Sequence, residues 1–469
     1  MIFEDKREFT NGNENFDPME KMSSNYVMGR NSVTYPNQLK NNKMQTQNYL
    51  DMNDIVVPII IKKGDDGQIY FAMEYIYIPA KNQIFIELPS IGMQEKKEEY
   101  SDLDILTATT NLTDMLQLSQ SNGKINDLAS NYDPVSASFT NQMVKFVELG
   151  VKNQDGDKRL HWFPVSCLQD LLSKEIPMSL QTKYALLLFE QKHKKEISSI
   201  TPTEAQIDKE LLNLTKKFRE ENKEDIIWPH KKRFGVAKRK IPAEIQELMA
   251  EGRIDYVADN FEEKSDGISN EESVYGMSKN SVQCIVARIK DGKVQVCLQP
   301  QLRSPFIAKN KVDSYFLETP AGGIEEEDYQ NIDINSDEYK NLNQATKEIV
   351  DYYAAENAAT RESAEEGGFK ISSDNLIKLS QDLLYSQGTE EMTGFYLAII
   401  PSDYEKGKRN LDEQEVILSE DEDSIWYDLD GLDINKLHSP ISKKMLLILT
   451  KKYFDNQKNK EQEIEIDAK

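Results

Sequence analysis

The hydrophobic pattern of this chain states the same sentence twice. In its later part Val294, Val296 and Leu298 alternate with polar residues, the period of a half-buried strand. Before them stand the apolar run Val282–Ile289 and the step Asp291-Gly292, a dipeptide suited to a tight hairpin turn. The spacing predicts strands over Val282–Ile289 and Lys293–Gln299. Far upstream the same order occurs as Ile55–Lys62, Asp66-Gly67 and Gln68–Glu74. The correspondence extends beyond the hairpin. Phe85–Gly92 matches Phe316–Gly322, and Thr140–Phe146 matches Thr389–Phe395. Each half then has an aromatic strand and a helical pattern, Trp162–Leu172 with Leu180–Phe189 and Trp426–Leu432 with Ile441–Tyr453. Landmarks shared in order indicate a tandem duplication.

Between and before these halves the pattern fades. Residues 1–50, rich in Asn, Ser, Lys and Met, lack apolar periodicity and read as a loosely packed polar arm. Residues 196–278 read as a charged linker with an amphipathic helix over Glu204–Arg219 and a basic run from Lys231 to Lys240.

Composition narrows the class. The 469 residues exceed one ordinary core and suggest several domains. With 38% hydrophobic and 29% charged residues, a soluble globular protein is indicated. No apolar run approaches the roughly 18 residues of a membrane span. The N-terminus Met1–Asp5 lacks the features of a secretory signal, so the expectation is a cytoplasmic protein with no membrane partner. Three scattered cysteines, Cys167, Cys284 and Cys297, argue against a disulfide framework or a zinc cluster. The net charge of −24 makes nucleic acid an unfavourable partner and suits recruitment of divalent cations.

Candidate chemistry lies in the second half. Residues 354–366 are rich in Ala and read as a helix. Glu362, Glu365 and Glu366 share about one face of it. Like charges so placed need counter-charge. Arg361 supplies part, and a hard cation such as Mg²⁺ suits the rest. Gly367-Gly368 ends the helix. Upstream, Glu318-Thr319-Pro320-Ala321-Gly322 closes a strand.

These residues resemble the box of the Nudix hydrolases. Gly322 stands as its first glycine, Asp328 as its first acid, and Arg361-Glu362, Glu365-Glu366, Gly368 and Phe369 as its remainder. Gln301-Leu302-Arg303 and Ser386-Gln387-Gly388-Thr389-Glu390-Glu391 resemble flanks of the ADP-ribose pyrophosphatase branch. Two departures stand out. Between Asp328 and Arg361 lie 32 residues where the family has about seven, so Tyr329–Tyr353 is an insertion expected to loop out. Ser363 replaces an apolar residue.

The resemblance implies an α/β fold of two Nudix-type α/β/α sandwich domains with mixed β-sheets, joined by a charged, partly helical linker. Residues 51–195 would be a degenerate Nudix-like domain, 196–278 the linker and 279–469 the catalytic domain. It implies that Glu362, Glu365, Glu366 and the Gly322 carbonyl hold Mg²⁺ or Mn²⁺, and that Arg361 orients a carboxylate. Glu391 would be the general base, and Arg303 and Glu318 would contact substrate. The substrate expected is a nucleoside diphosphate linked to another moiety, such as ADP-ribose or a nucleotide sugar. The first half reads Asn111–Leu118 near the equivalent helix and Asn141-Gln142 at the Glu390-Glu391 position. Amides accept no proton as a base, so this copy is expected to pack rather than catalyse. The halves would form an intramolecular pseudo-dimer, and a homodimer is compatible with the family. The alternative reading is a nucleotide-sensing or scaffold protein on Nudix folds without turnover.

Overall fold

A computed structural model describes residues 22–23, 29–37, 43–51, 54–78, 81–93, 100–129, 133–134, 142–173, 176–214, 225–228, 234–256, 260–261, 272–278, 280–301, 316–330, 332–334, 336–383, 392–405, 407, 425–437 and 439–467. In the first half the chain runs through β1 (Ile55–Lys63), β2 (Ile69–Ile78), β3 (Gln83–Glu87), β4 (Ile91–Gly92), α1 (Asp102–Met115), β5 (Gln120–Asp127), β6 (Met143–Val151), β7 (Leu160–Pro164) and α2 (Leu180–Lys192). In the second it runs through β8 (Ser281–Lys290), β9 (Lys293–Gln301), β10 (Phe316–Glu318), β11 (Ala321–Gly323), α3 (Gln344–Glu365), β12 (Leu376–Leu383), β13 (Met392–Ile400), β14 (Ile425–Asp428) and α4 (Ile441–Asp467).

The two hairpins form as the alternation predicts. At the second turn Asp291 and Gly292 have φ of 52° and 74°, the positive pair that a tight hairpin with right-handed strand twist requires. Both sheets are mixed and repeat one pairing scheme. The order is β7-β2-β1-β6-β5 in the first and β14-β9-β8-β13-β12 in the second, through the pairing of β14 with β9. The parallel pair is β6 on β1 in one and β13 on β8 in the other, with Val144 opposite Ile55 and Thr393 opposite Ser281. Short strands add at matching places, β3 on β2 and β4 on β1 against β10 on β9 and β11 on β8.

Side-chain contacts repeat as well. The Asp54 carboxylate accepts from Met143 N at 2.9 Å, and the Asn280 carbonyl oxygen accepts from Met392 N at 3.0 Å. Lys62 sits 4.2 Å over the Trp162 ring, and Arg288 sits 4.0 Å over Trp426.

Each sheet carries a helix on both faces because its central strands are apolar on both sides. Val56 and Val147 face Ile105 and Ala108 of α1, and Val282, Cys284 and Val286 face Ala354, Ala355, Ala358 and Ala359 of α3. The opposite faces meet in one continuous cluster that includes Ile59, Tyr184 and Leu188 with Ile285, Met445 and Ile448. There α2 packs on α4, Lys183 donates to Ser380 Oγ at 2.9 Å, and Lys452 pairs with Glu190. The deepest core therefore lies between the two sheets.

The flanking segments hold more structure than their composition signals. Gly29–Asn37 and Lys43–Asp51 pair as an antiparallel hairpin, where the lack of apolar alternation suggested a loose arm. Ile245, Leu248 and Ile254 join the shared cluster, and Asp255–Tyr256 pairs in parallel with Ile76–Tyr77. The helix expected over Glu204–Arg219 is helical over 209–214, and 215–219 lie outside the described residues. Part of the basic run forms the strand Phe234–Lys240, paired with Glu272–Ser278. Among the described residues no helix is long and apolar enough to cross a membrane.

The helix expected at 354–366 starts earlier. It begins at Gln344, capped by Asn343 accepting from Thr346 N, so the later part of the insertion is the first turns of α3 and does not loop out. In the first half the helix runs over Asp102–Met115, so of Asn111–Leu118 only the residues up to Met115 are helical.

Candidate active site

The candidate site forms where β11 runs beside the last turns of α3. Sheet pairing fixes one side. Gly322 lies opposite Val282, and Cys284 N donates to Pro320 O at 2.9 Å. Helical spacing fixes the other, since Glu362 and Glu366 are one turn apart and face β11. A side chain at Gly322 would place its Cβ 1.9 Å from Glu362 Oε1. Glycine there leaves room for the Glu362 carboxylate, which fills the volume of a Cβ and would have to swing aside for one. One turn on, Glu366 Oε2 accepts from Ala321 N at 2.7 Å.

Arg361 ties the acids together. Its Nη1 lies 2.7 Å from Glu362 and 3.1 Å from Glu365. Its Nε and Nη2 donate to Asp328 at 3.1 and 2.9 Å, and Nη2 also donates to Gly323 O at 2.9 Å. Burial opposes charge on this guanidinium, but Asp328 and Glu362 more than offset it, so its pKa stands above the ordinary value. Asp328, 4% exposed, thus lies against Arg361 despite the 32 residues between them.

Ser363, at the usually apolar position, is fully buried and donates to Ala359 O at 2.7 Å. Behind it, burial pushes the Cys284 thiol up to about 12, against a hydrogen bond with Ser363. All three cysteines are free and buried, which suits inert packing rather than reactivity.

Of the residues singled out from sequence, the structure brings together Arg361, Glu362, Glu365, Glu366, Gly322 and Asp328. Glu318 lies deeper, 1% exposed, opposite Gln299. Arg303, Glu390 and Glu391 lie outside the described residues. The residue that sequence reasoning passed over is Lys443. It is 3% exposed on α4 and donates to Thr319 O at 2.9 Å, which anchors the segment leading to Gly322. A lysine near the start of an apolar helix was the available signal.

Do these groups suit a hard divalent cation? Among the described residues no three His, Cys, Asp or Glu side chains converge enough to hold an ion alone. Mg²⁺ does not require this, since it favours one or two carboxylates completed by water and phosphate. The donors here are hard carboxylate and carbonyl oxygens, set around a glycine that leaves room for one of them. The donor set fits.

The first half differs at this point in a way its register reveals. Ile91 lies opposite Val56 and Gly92 opposite Ile55, as Gly322 lies opposite Val282 and Gly323 opposite Ser281. The residue equivalent to Gly322 is therefore Ile91, and the match of Gly92 to Gly322 is corrected by one position. The Ile91 side chain packs against the apolar clusters that include Leu112, Leu116 and Ile105, where the second half has a glycine.

The site is that of a mixed α/β fold with an arginine-bound acidic helix end. No family model and no curated protein matches the sequence. Solved structures similar to parts of the chain include a C. elegans Ap4A hydrolase in a binary complex, 15% identical, covering 38% of this chain and 98% of its own at a TM-score of 0.23. The NUDIX domain of Shewanella oneidensis NrtR complexed with ADP ribose is 14% identical, covering 38% and 88% at 0.23. A structure described as an ADP compounds hydrolase is 14% identical, covering 50% and 93% at 0.27.

Proposed function

We infer that the second half of this chain is a divalent-metal-dependent pyrophosphohydrolase of Nudix type, acting on a nucleoside diphosphate linked to another moiety. The observation that carries this reading is the convergence of Arg361 on Asp328, Glu362 and Glu365, while Glu366 binds the Ala321 amide beside Gly322. Three acids on one guanidinium, with a fourth held beside a glycine whose open side the Glu362 carboxylate fills, are costly to assemble for stability alone. As a binding place for a cation and a diphosphate they have a use.

Glu362, Glu365 and Glu366 would hold Mg²⁺ or Mn²⁺, with the Gly322 carbonyl as a further ligand. Such an ion would neutralise diphosphate charge that otherwise repels an attacking water. Arg361 keeps Glu362 and Glu365 at fixed angles, so the acids are oriented before substrate arrives. The Ala321 amide directs one oxygen of Glu366. Glu391, just before β13 in the sequence, would take the proton from water, and Arg303 would meet a phosphate or ribose oxygen.

The first half is, on this reading, a second Nudix-like unit without catalysis. The repeated strand pairing supports the duplication, and Ile91 in the glycine position supports the loss of chemistry. The α2–α4 contact supports an intramolecular pseudo-dimer.

The test is hydrolysis of a panel of ADP-ribose, nucleotide sugars and diadenosine polyphosphates with Mg²⁺ or Mn²⁺. The Glu366→Gln variant should lose about a hundredfold or more in turnover with its fold intact by circular dichroism. Turnover within about threefold of the parent would remove Glu366 from the site.

A further inference from the structure

The insertion Tyr329–Tyr353 interrupts the box, yet its ends are bound into the site by hydrogen bonds that its sequence does not announce. Asp351 stands on the first half of α3, three turns before Arg361. Its Oδ1 accepts from Tyr339 Oη at 2.8 Å and from Tyr329 Oη at 3.2 Å. The two tyrosine rings meet edge to face with centroids 6.3 Å apart, and Lys347 lies 5.9 Å over Tyr339. Burial, and after it Asp351, hold both phenols above the ordinary value, so both remain O–H donors.

From Tyr329 the connection reaches Arg361 through its neighbour. Asp328 O accepts from Asn357 Nδ2 at 2.8 Å, and Asn357 Oδ1 accepts from Gln330 Nε2 at 3.1 Å. Gln330 adopts a left-handed φ of 49°, which turns the chain away just after Asp328. Asp328 is thus pinned by its backbone to α3, and by the Tyr329 side chain to Asp351. Its carboxylate meets Arg361 through two bonds.

We propose that the described residues of the insertion form a clasp, closed by Tyr329 and Tyr339 on Asp351, which positions Asp328 and through it Arg361 and the metal-binding glutamates. Asp351 is a positioning residue on this assignment, which rests on the function proposed above. A box split by a long insertion must restore the fixed distance between its first acid and its arginine. The last ten residues of the insertion, 344–353, are part of the helix itself. Outer partners of metal-binding groups typically change affinity or activity by about 10–100-fold when removed.

The experiment uses the full chain with ADP-ribose and Mn²⁺, comparing Asp351→Ala, Asp351→Asn and Tyr339→Phe with the parent. Asp351→Ala should lower kcat by about tenfold or more and raise the Mn²⁺ concentration for half-maximal rate, with KM for ADP-ribose within about twofold. Asp351→Asn keeps an acceptor oxygen for Tyr339 and should recover most of the rate. Tyr339→Phe should fall between them. A role in stability alone would lower Tm and leave the Mn²⁺ requirement unmoved, and that result overturns the clasp. So does an Asp351→Asn variant as damaged as Asp351→Ala. If Asp351→Ala does not fold, Tyr339→Phe decides, and parental kinetics in it overturn the proposal. An active parent with unaffected variants refutes the clasp alone. A parent inactive on the whole substrate panel refutes the pyrophosphohydrolase reading and the clasp with it.

Discussion

Replacing Gly322 by alanine tests the site with the smallest possible change. The added Cβ would lie 1.9 Å from Glu362 Oε1, where ordinary contact needs at least 3.4 Å. Some 1.5 Å of displacement must be found, the difference between those two distances. The neighbour is the far end of a flexible side chain, so the carboxylate swings aside more readily than the sheet distorts. Overpacking of this kind costs about 1–3 kcal/mol, a drop in Tm of several degrees in a chain that otherwise folds. For activity the shift is larger than it sounds. The 2.7 Å contact between Glu362 and Arg361 would break, and a misplacement of about 1 Å can cost a hundredfold in rate. The expected result is a folded variant with kcat down by about a hundredfold and weaker activation by Mn²⁺. Circular dichroism, thermal unfolding and steady-state kinetics across a Mn²⁺ titration measure all three. A well-folded Gly322→Ala enzyme with parental kcat and Mn²⁺ dependence would show that Glu362 does not need this space.

Further outcomes follow from the same structure. Glu391→Gln should lower kcat and kcat/KM together, as expected for loss of a base, with Glu390→Gln as control; damage from the control alone would move the assignment by one residue. Burial pushes Glu87 up to about 7, against hydrogen bonds from Ser179 and Thr182. Its folded pKa is above the unfolded value of 4.5. The folded state then holds the extra proton, so stability falls as pH rises from about 4.5 to 7 and is level above. At about 1.4 kcal/mol per pH unit the loss is at most about 3.5 kcal/mol. Urea midpoints at pH 5 and 7.5 should differ less in Glu87→Gln than in the parent, and parallel shifts in both would refute the assignment. A fragment 280–469 should expose the face of α4 that packs on α2 and self-associate in ultracentrifugation; a stable, fully active monomer would contradict the pseudo-dimer.

Much of this was legible from sequence because it is local. The Asp-Gly turns and the alternation around them carry both hairpins, and the acids of α3 follow from helical spacing. What was not legible depends on distant partners. The start of α3 at Gln344 was hidden because apolar residues of its first turns, such as Ile349 and Tyr353, stay exposed and mark no buried face, and Asp351 meets tyrosines that lie 12 and 22 positions away. The equivalence of Ile91 with Gly322 was missed because a neighbouring glycine invites the wrong match, and only the opposing residues Val56 and Val282 settle the register. Lys443 bonds a carbonyl from 124 positions away, a distance over which periodicity says nothing.

The core shared between the sheets also sets a schedule for biosynthesis. Glu190 and its partner Lys452 are 262 positions apart, and at about 5–20 residues per second a ribosome needs roughly 13–50 seconds to pass from one to the other. During that time the side of α2 that finally rests on α4 has no partner. The first sheet can already pair its own strands, but its outer apolar layer stays wet until the last long helix emerges. Chaperone capture in that interval, and aggregation of chains stopped short of α4, are what such an architecture invites.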